Sequence, residues 1–153
     1  MKIKSFLLTA LAASALAVGS AQANVIVSYG SNLSMFSNTG TLLKTYSTTL
    51  VDPRGVTTDS SGHVYVAEYG TTGSYNGNVK MYDIASGAFI RDILPSNLYA
   101  PTGVAFNPAN PGQIILMGQY SAVANQLGIW NTNATNSVVA SHSGLGAPYA
   151  GLY

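Results

Sequence analysis

The sequence predicts an all-β fold in which one four-stranded antiparallel unit recurs about three times. Short runs of β-branched and aromatic residues such as Val64-Tyr65-Val66-Ala67 are bounded by turn residues, which is typical of strands. The segment Pro53-Arg54-Gly55-Val56 recurs as Pro101-Thr102-Gly103-Val104, 48 positions later. Beyond the N-terminal segment, no stretch has the period of an amphipathic helix. Together these observations favour short strands and tight turns throughout.

The N-terminal residues 1–23 have the three-part pattern of a secretory signal peptide. Lys2 and Lys4 precede an apolar stretch, and the small-x-small sequence Ala21-Gln22-Ala23 follows it. The apolar stretch is about a dozen residues long, whereas a membrane span needs roughly 20. We therefore expect cleavage after Ala23, a mature chain 24–153, and export to the periplasm or the extracellular space.

The mature chain would carry few charges and has no cysteine. Without Lys2 and Lys4, four basic side chains stand against five acidic ones, with no basic cluster. Nucleic-acid binding requires clustered Lys and Arg, so we expect neither a nucleic-acid partner nor an anionic membrane surface. The absence of cysteine excludes disulfides, thiolate catalysis and cysteine metal sites.

The strands of each repeat are predicted in a fixed order, with the Pro-x-Gly-Val segment first and a polar turn after it. The second strands are 24–28, 63–67 and 113–117; the third are 32–36, 78–82 and 126–130; the fourth are 41–46, 88–93 and 137–140. Four antiparallel strands in about 45 residues are typical of a β-propeller blade. We predict blades at about 24–50, 51–97 and 98–143, and the start of a further blade at 147–153.

Residues 53–93 contain the clearest copy of the repeat. It has Pro-x-Gly-Val, a turn with Asp and Gly, Val-Tyr-Val-Ala, and a strand ending in Tyr82-Asp83. This pattern resembles the NHL-type repeat of six-bladed propellers, and the resemblance extends in weaker form to 101–140 and 24–46. It implies the fold more than any activity, because propellers serve as enzymes, binding modules and scaffolds.

The resemblance extends to gluconolactonase-like and strictosidine synthase-like propellers. Lactonases of that group hold a divalent cation, and one acidic ligand precedes a glycine that enters an inner strand. The matching positions here are Arg54, Thr102 and Ala150, none of which is acidic. The resemblance therefore gives weak support to a hydrolase.

The number of repeats is smaller than the 4–8 blades of a typical propeller ring. Three explanations stay open: the chain is a fragment of a longer reading frame, it assembles with copies of itself, or residues 151–153 pair with 24–28 in a three-bladed ring. Open blade edges promote association, so the first two explanations are favoured, and self-association through those edges is a predicted interaction.

The candidate ligand-binding residues belong to one predicted rim, where the loops between second and third strands meet the segments entering first strands. They are Tyr29, Arg54, Glu68, Tyr69, Tyr75, Asn76 and Tyr120. Glu68 is a candidate ligand or general base, and the alternative is an ion pair or a solvated strand end. The loop 69–78 is a candidate site for sugars or peptides, since Tyr and Asn combine a flat apolar face with hydrogen bonding; alternatively, it is a tolerated surface insertion.

We predict no catalytic residue, no metal ligand and no resident cofactor. His63 and His142 lack the spacing of metal ligands, and His63 is expected to be a polar turn residue. No nucleophile elbow or phosphate loop occurs. The sequence favours an exported binding or scaffold module with a protein or glycan partner. The alternative is a truncated Ca²⁺-dependent lactonase or strictosidine synthase-like hydrolase.

Overall fold

The computed structural model describes residues 24–71, 74, 76–94, 99–120, 123–133 and 138–142. These residues form eleven strands and no helix. The strands are β1 (Val25–Tyr29), β2 (Asn32–Phe36), β3 (Leu42–Ser47), β4 (Pro53–Thr58), β5 (His63–Glu68), β6 (Asn78–Asp83), β7 (Phe89–Asp92), β8 (Tyr99–Phe106), β9 (Gln113–Tyr120), β10 (Val123–Asn131) and β11 (Val138–His142). The described part of the chain has no helix of the length and hydropathy needed to cross a membrane.

The strands form three antiparallel sheets in chain order, which we call the first, second and third blades. Their orders are β1-β2-β3, β4-β5-β6-β7 and β8-β9-β10-β11. Among the described residues, the first sheet has no counterpart of β4 and β8, and no Pro-x-Gly-Val segment precedes β1 in the sequence. The predicted fold class is confirmed: all-β, with about three propeller-type blades. The predicted signal peptide and the segment 147–153 lie outside the described residues.

The glycine of the Pro-x-Gly-Val motif lies where neighbouring first strands meet. A Cβ atom built on Gly55 of β4 would lie 3.2 Å from both the Gly103 Cα and the Val104 nitrogen of β8. Beside it, the Phe106 N–H of β8 donates to Thr57 Oγ1 of β4 at 3.2 Å. The repeated glycine therefore lets two blades approach backbone to backbone.

The hydrophobic core lies between the blades. One cluster joins the first and second blades: Leu33, Tyr46, Leu50, Val64, Val66 and Tyr82. The other joins the second and third: Tyr65, Ala67, Val79, Met81, Ile93, Leu94, Ile114, Leu116 and Trp130. Because β5 contributes alternate side chains to both clusters, it is buried on both faces. Because neither face of β5 meets solvent, its sequence has an uninterrupted apolar run at 64–67 instead of alternating apolar and polar residues.

Two cations link successive blades at their outer strands. Lys44 of β3 donates to the carbonyl oxygens of Ile84 and Ala85, which follow β6. Arg91 of β7 donates to the carbonyl oxygen of Asn133, which follows β10. The two cations occupy equivalent positions of the repeat, so the same contact recurs at both junctions.

Candidate functional site

The strand register places two sets of loops at opposite ends of the second blade. At one end Pro53 pairs with Glu68, and Glu68 with Asn78. At the other end Thr58 pairs with Val64, and His63 with Asp83. We call the first end the Arg54 rim (residues 51–54, 68–71 and 76–78). The second is the Asp59 rim (59–63 and 83–88), which continues into 107–112 and 131–133 of the third blade.

Arg54 and Tyr69, both predicted site residues, contact each other on the Arg54 rim. The guanidinium carbon of Arg54 lies 4.7 Å from the centre of the Tyr69 ring. Asp52 holds the guanidinium group through two hydrogen bonds, from Nε at 2.9 Å and from Nη2 at 2.6 Å. The Arg54 side chain is 44 % exposed. The cluster thus presents an oriented cation and an aromatic ring at the surface.

The backbone at Asp52 sets the geometry of this cluster. Asp52 has φ of 49°, in the left-handed region that Asp and Asn tolerate better than most residues. Its carbonyl oxygen accepts a hydrogen bond from the Tyr69 N–H at 3.0 Å, and the Val51 carbonyl accepts one from the Gly70 N–H at 3.1 Å. The segment entering β4 is therefore fastened to the loop that leaves β5.

Glu68 is buried below the rim, with only 5 % of its surface exposed. Its Oε1 accepts a hydrogen bond from the Val51 N–H at 2.9 Å, and its Oε2 lies 3.3 Å from Lys80 Nζ. Both carboxylate oxygens are therefore engaged by the protein itself. This geometry matches the ion-pair alternative of the sequence analysis more closely than a ligand or general base open to solvent.

The other predicted rim residues have varied surroundings. Asn76 closes its loop, since its Oδ1 accepts a hydrogen bond from the Thr71 N–H at 2.7 Å. Tyr29, at the end of β1, is exposed, and its ring lies 6.3 Å from that of Phe36 in the same blade. Tyr75 and the side chain of Tyr120 lie outside the described part of the structure.

On the Asp59 rim, a buried carboxylate organises the turn between β4 and β5. Asp59 Oδ1 accepts from the N–H groups of Ser61 and His63, each at 2.9 Å. Asp59 Oδ2 contacts His63 Nδ1 and accepts from the Tyr65 hydroxyl, each at 2.8 Å. Burial raises the pKa of this carboxyl group, but the hydrogen bonds to His63, Tyr65 and Ser61 outweigh burial and leave the pKa lowered.

The Asp59 cluster extends across the blade junction. The Thr132 side chain hydrogen-bonds to Tyr65, whose pKa is raised chiefly by burial. Thr132 is held in turn by the Gly112 carbonyl, to which its N–H donates at 2.8 Å and its hydroxyl at 3.0 Å. A cleft of about 360 Å³ lies above this cluster, between the second and third blades, and Arg91 borders it.

The sequence pattern predicts no site at this rim. His63 is expected there only as a polar turn residue, although Asp59 and His63 are four positions apart. A signal was present in the sequence, because an Asp that opens a tight turn commonly accepts hydrogen bonds from the amides that follow it. The contributions of Arg91 and Thr132 depend on another strand and another blade, and no local pattern indicates them.

No group of three or more His, Asp or Glu side chains is placed to hold a metal ion within the described ranges. No model of a known protein family matches the chain, and no curated protein matches it. The resemblance to NHL-type and lactonase-like propellers stays a prediction from the sequence.

Proposed function

We propose that this protein is an exported propeller-type binding or scaffold module that engages a protein or glycan through the Arg54 rim. The observation that carries the proposal is the contact of Arg54 with the Tyr69 ring at 4.7 Å, on an exposed surface. Arg and Tyr are among the residues most enriched at the energetic centres of protein interfaces.

Preorganisation supports the choice of this rim. Asp52 fixes the guanidinium group with two hydrogen bonds, so little side-chain freedom remains to be lost when a partner binds. Asn76 likewise holds the Thr71 backbone through a hydrogen bond from the Thr71 N–H. Tyrosine rings commonly pack against the apolar side of a sugar ring or a peptide side chain, and guanidinium groups commonly bind hydroxyl or carbonyl oxygens.

No site among the residues that the structure describes supports the hydrolase alternative. We expect a binding module to form a complex with its partner and to leave the partner chemically unchanged. The lactonase-type prediction instead requires turnover of a lactone with Ca²⁺ present.

The proposal is tested by offering the full chain to an array of defined glycans and to a random-peptide display library. We expect Tyr69→Ala and Arg54→Gln each to weaken binding of a selected glycan or peptide about tenfold or more. Ser60→Ala, an exposed substitution in the turn of the Asp59 rim, is the matched control and should bind as the wild type does. The proposal is wrong if neither panel yields a ligand, or if Tyr69→Ala binds with unchanged affinity while its circular dichroism spectrum shows it folded.

A further inference from the structure

We infer that the cleft between the second and third blades, on the Asp59 rim, is a binding site for a small organic carboxylate. The cleft lies at the end of the blades opposite to the Arg54 rim. The inference therefore goes beyond the proposed function and does not depend on it.

Arg91 supplies the cation of this site. It lies on β7 and borders the cleft, and one of its terminal nitrogens, Nη1, donates to the Asn133 carbonyl oxygen of the third blade. That hydrogen bond fixes the direction of the guanidinium group. Among the described residues, Nε and Nη2 of Arg91 have no hydrogen-bond partner. A planar guanidinium with donors to spare suits the two oxygens of a carboxylate.

His63 supplies a second polar group on a rigid support. Its Nδ1 is engaged by Asp59 Oδ2 at 2.8 Å, so Nε2 is the ring nitrogen left for a ligand. The His63 side chain is 27 % exposed and borders the same cleft as Arg91. Four groups of the protein already donate to or contact the Asp59 carboxylate. Its oxygens are therefore engaged by Ser61, His63 and Tyr65.

The remaining lining gives the cleft an apolar side. Met81, Ile90 and Pro111 contribute hydrophobic side chains, and Ile90 is 38 % exposed. A volume of about 360 Å³ falls within the range of roughly 300–1,000 Å³ that is usual for small-molecule sites. A ligand with a compact apolar body and one carboxylate would match both sides of the cleft.

The arrangement of charge favours an anion over a cation. Apart from the internally satisfied Asp59, no described acidic side chain lines the cleft, and Asp83 lies opposite His63 in the register of β5 and β6. Its Oδ1 accepts hydrogen bonds from the N–H and the hydroxyl of Ser86, each at 2.6 Å. The donors left for a carboxylate therefore come first from Arg91, and His63 Nε2 on the same cleft adds one when the ring carries both protons.

The test is an NMR titration of the isotope-labelled full chain with three ligands of the same planar shape: benzoate, benzamide and benzamidine, which is a cation at neutral pH. We expect benzoate to cause saturable shift changes at the Arg91 side chain and the His63 ring, and the neutral and cationic analogues to cause none that saturate. The inference is overturned if benzoate produces no saturable change, if benzamide binds equally well, or if the changes map to the Arg54 rim.

A matched pair of variants separates binding from stability. We expect Arg91→Gln to weaken benzoate binding about tenfold or more, since it removes a charge-assisted hydrogen-bonding group. Lys44→Gln removes the equivalent contact at the other blade junction and should bind benzoate within about twofold of the wild type. If Arg91→Gln does not fold, His63→Gln replaces it, with an expected severalfold loss. Unchanged affinity in the folded variant overturns the inference.

Discussion

Glu68 and Lys80 form a partly buried ion pair across β5 and β6, with Oε2 and Nζ 3.3 Å apart. Lys80 Nζ also lies 3.3 Å from Asp92 Oδ1 on β7, so one cation connects three strands of the second blade. Burial lowers the pKa of Lys80, but the carboxylates of Glu68 and Asp92 outweigh burial and leave the pKa raised. The second carboxylate oxygen of Glu68 holds the Val51 N–H, so the pair also anchors the segment that connects the first two blades.

Replacing Glu68 by alanine should destabilise the protein by about 1–3 kcal/mol, because the Val51 N–H loses its acceptor and the partly buried Lys80 ammonium group keeps only Asp92. Glu68→Gln is the matched control, since its amide oxygen can still accept from Val51. We expect it to cost about 1 kcal/mol. Urea unfolding followed by circular dichroism measures both. Equal stability of the alanine variant and the wild type would contradict a structural role for Glu68.

Asp59 should contribute stability that is lost in acid. Its pKa in the folded protein lies below the usual value of 3.8, so the stabilisation is complete above that pH and disappears as the pH falls through the lowered pKa. Asp59→Asn should therefore show a shallower decline of the unfolding free energy between pH 7 and about pH 2 than the wild type.

Tyr65→Phe tests the same acid dependence while the Asp59 carboxylate is kept. It removes one donor from Asp59 Oδ2, so the folded pKa should rise towards its usual value and the acid-dependent part of the stability should shrink. Urea unfolding at a series of pH values measures this dependence. Identical pH profiles in the wild type and both variants would show that the hydrogen bonds to Asp59 do not act in this way.

Gly55→Ala should cost about 1–3 kcal/mol, because the new methyl group would lie 3.2 Å from the backbone of β8 and would push two blades apart. Gly103→Ala is the matched control from the same motif. Its methyl group would meet only the end of the Met117 side chain, at 3.3 Å, and that flexible group can move aside. Thermal unfolding compares the two variants. An equal or larger loss in Gly103→Ala would contradict the assigned contact between the blades.

Lys44→Met should lower the unfolding free energy by about 1 kcal/mol, because the Ala85 carbonyl oxygen loses the Lys44 donor and the Ile84 carbonyl oxygen keeps only the Tyr46 hydroxyl, while the aliphatic packing is kept. Lys44→Arg retains both charge and donors and should stay close to the wild type. Urea unfolding of the full chain is the measurement. If Lys44→Arg is as destabilised as Lys44→Met, shape and not hydrogen bonding determines the contact.

The positions of some candidate site residues could be predicted from local sequence patterns. The turn residues and the order of strands in each repeat put Arg54, Glu68 and Tyr69 at one end of a blade, and the register has them there. The pattern does not indicate how deeply each side chain is buried. Glu68 follows four buried residues of β5 and is itself buried, because Lys80 and Val51 from neighbouring segments cover it.

The sequence by itself determined that the chain builds β-sheet blades, because strand alternation, turn glycines and a repeated motif act over a few residues at a time. Only the tertiary structure decided which polar groups share a site. Asp59 and His63 become part of a cleft because Arg91 and Thr132 approach from a different strand and a different blade. The two blades meet at the Gly55 and Gly103 backbones, and this contact between repeats requires both of them at once.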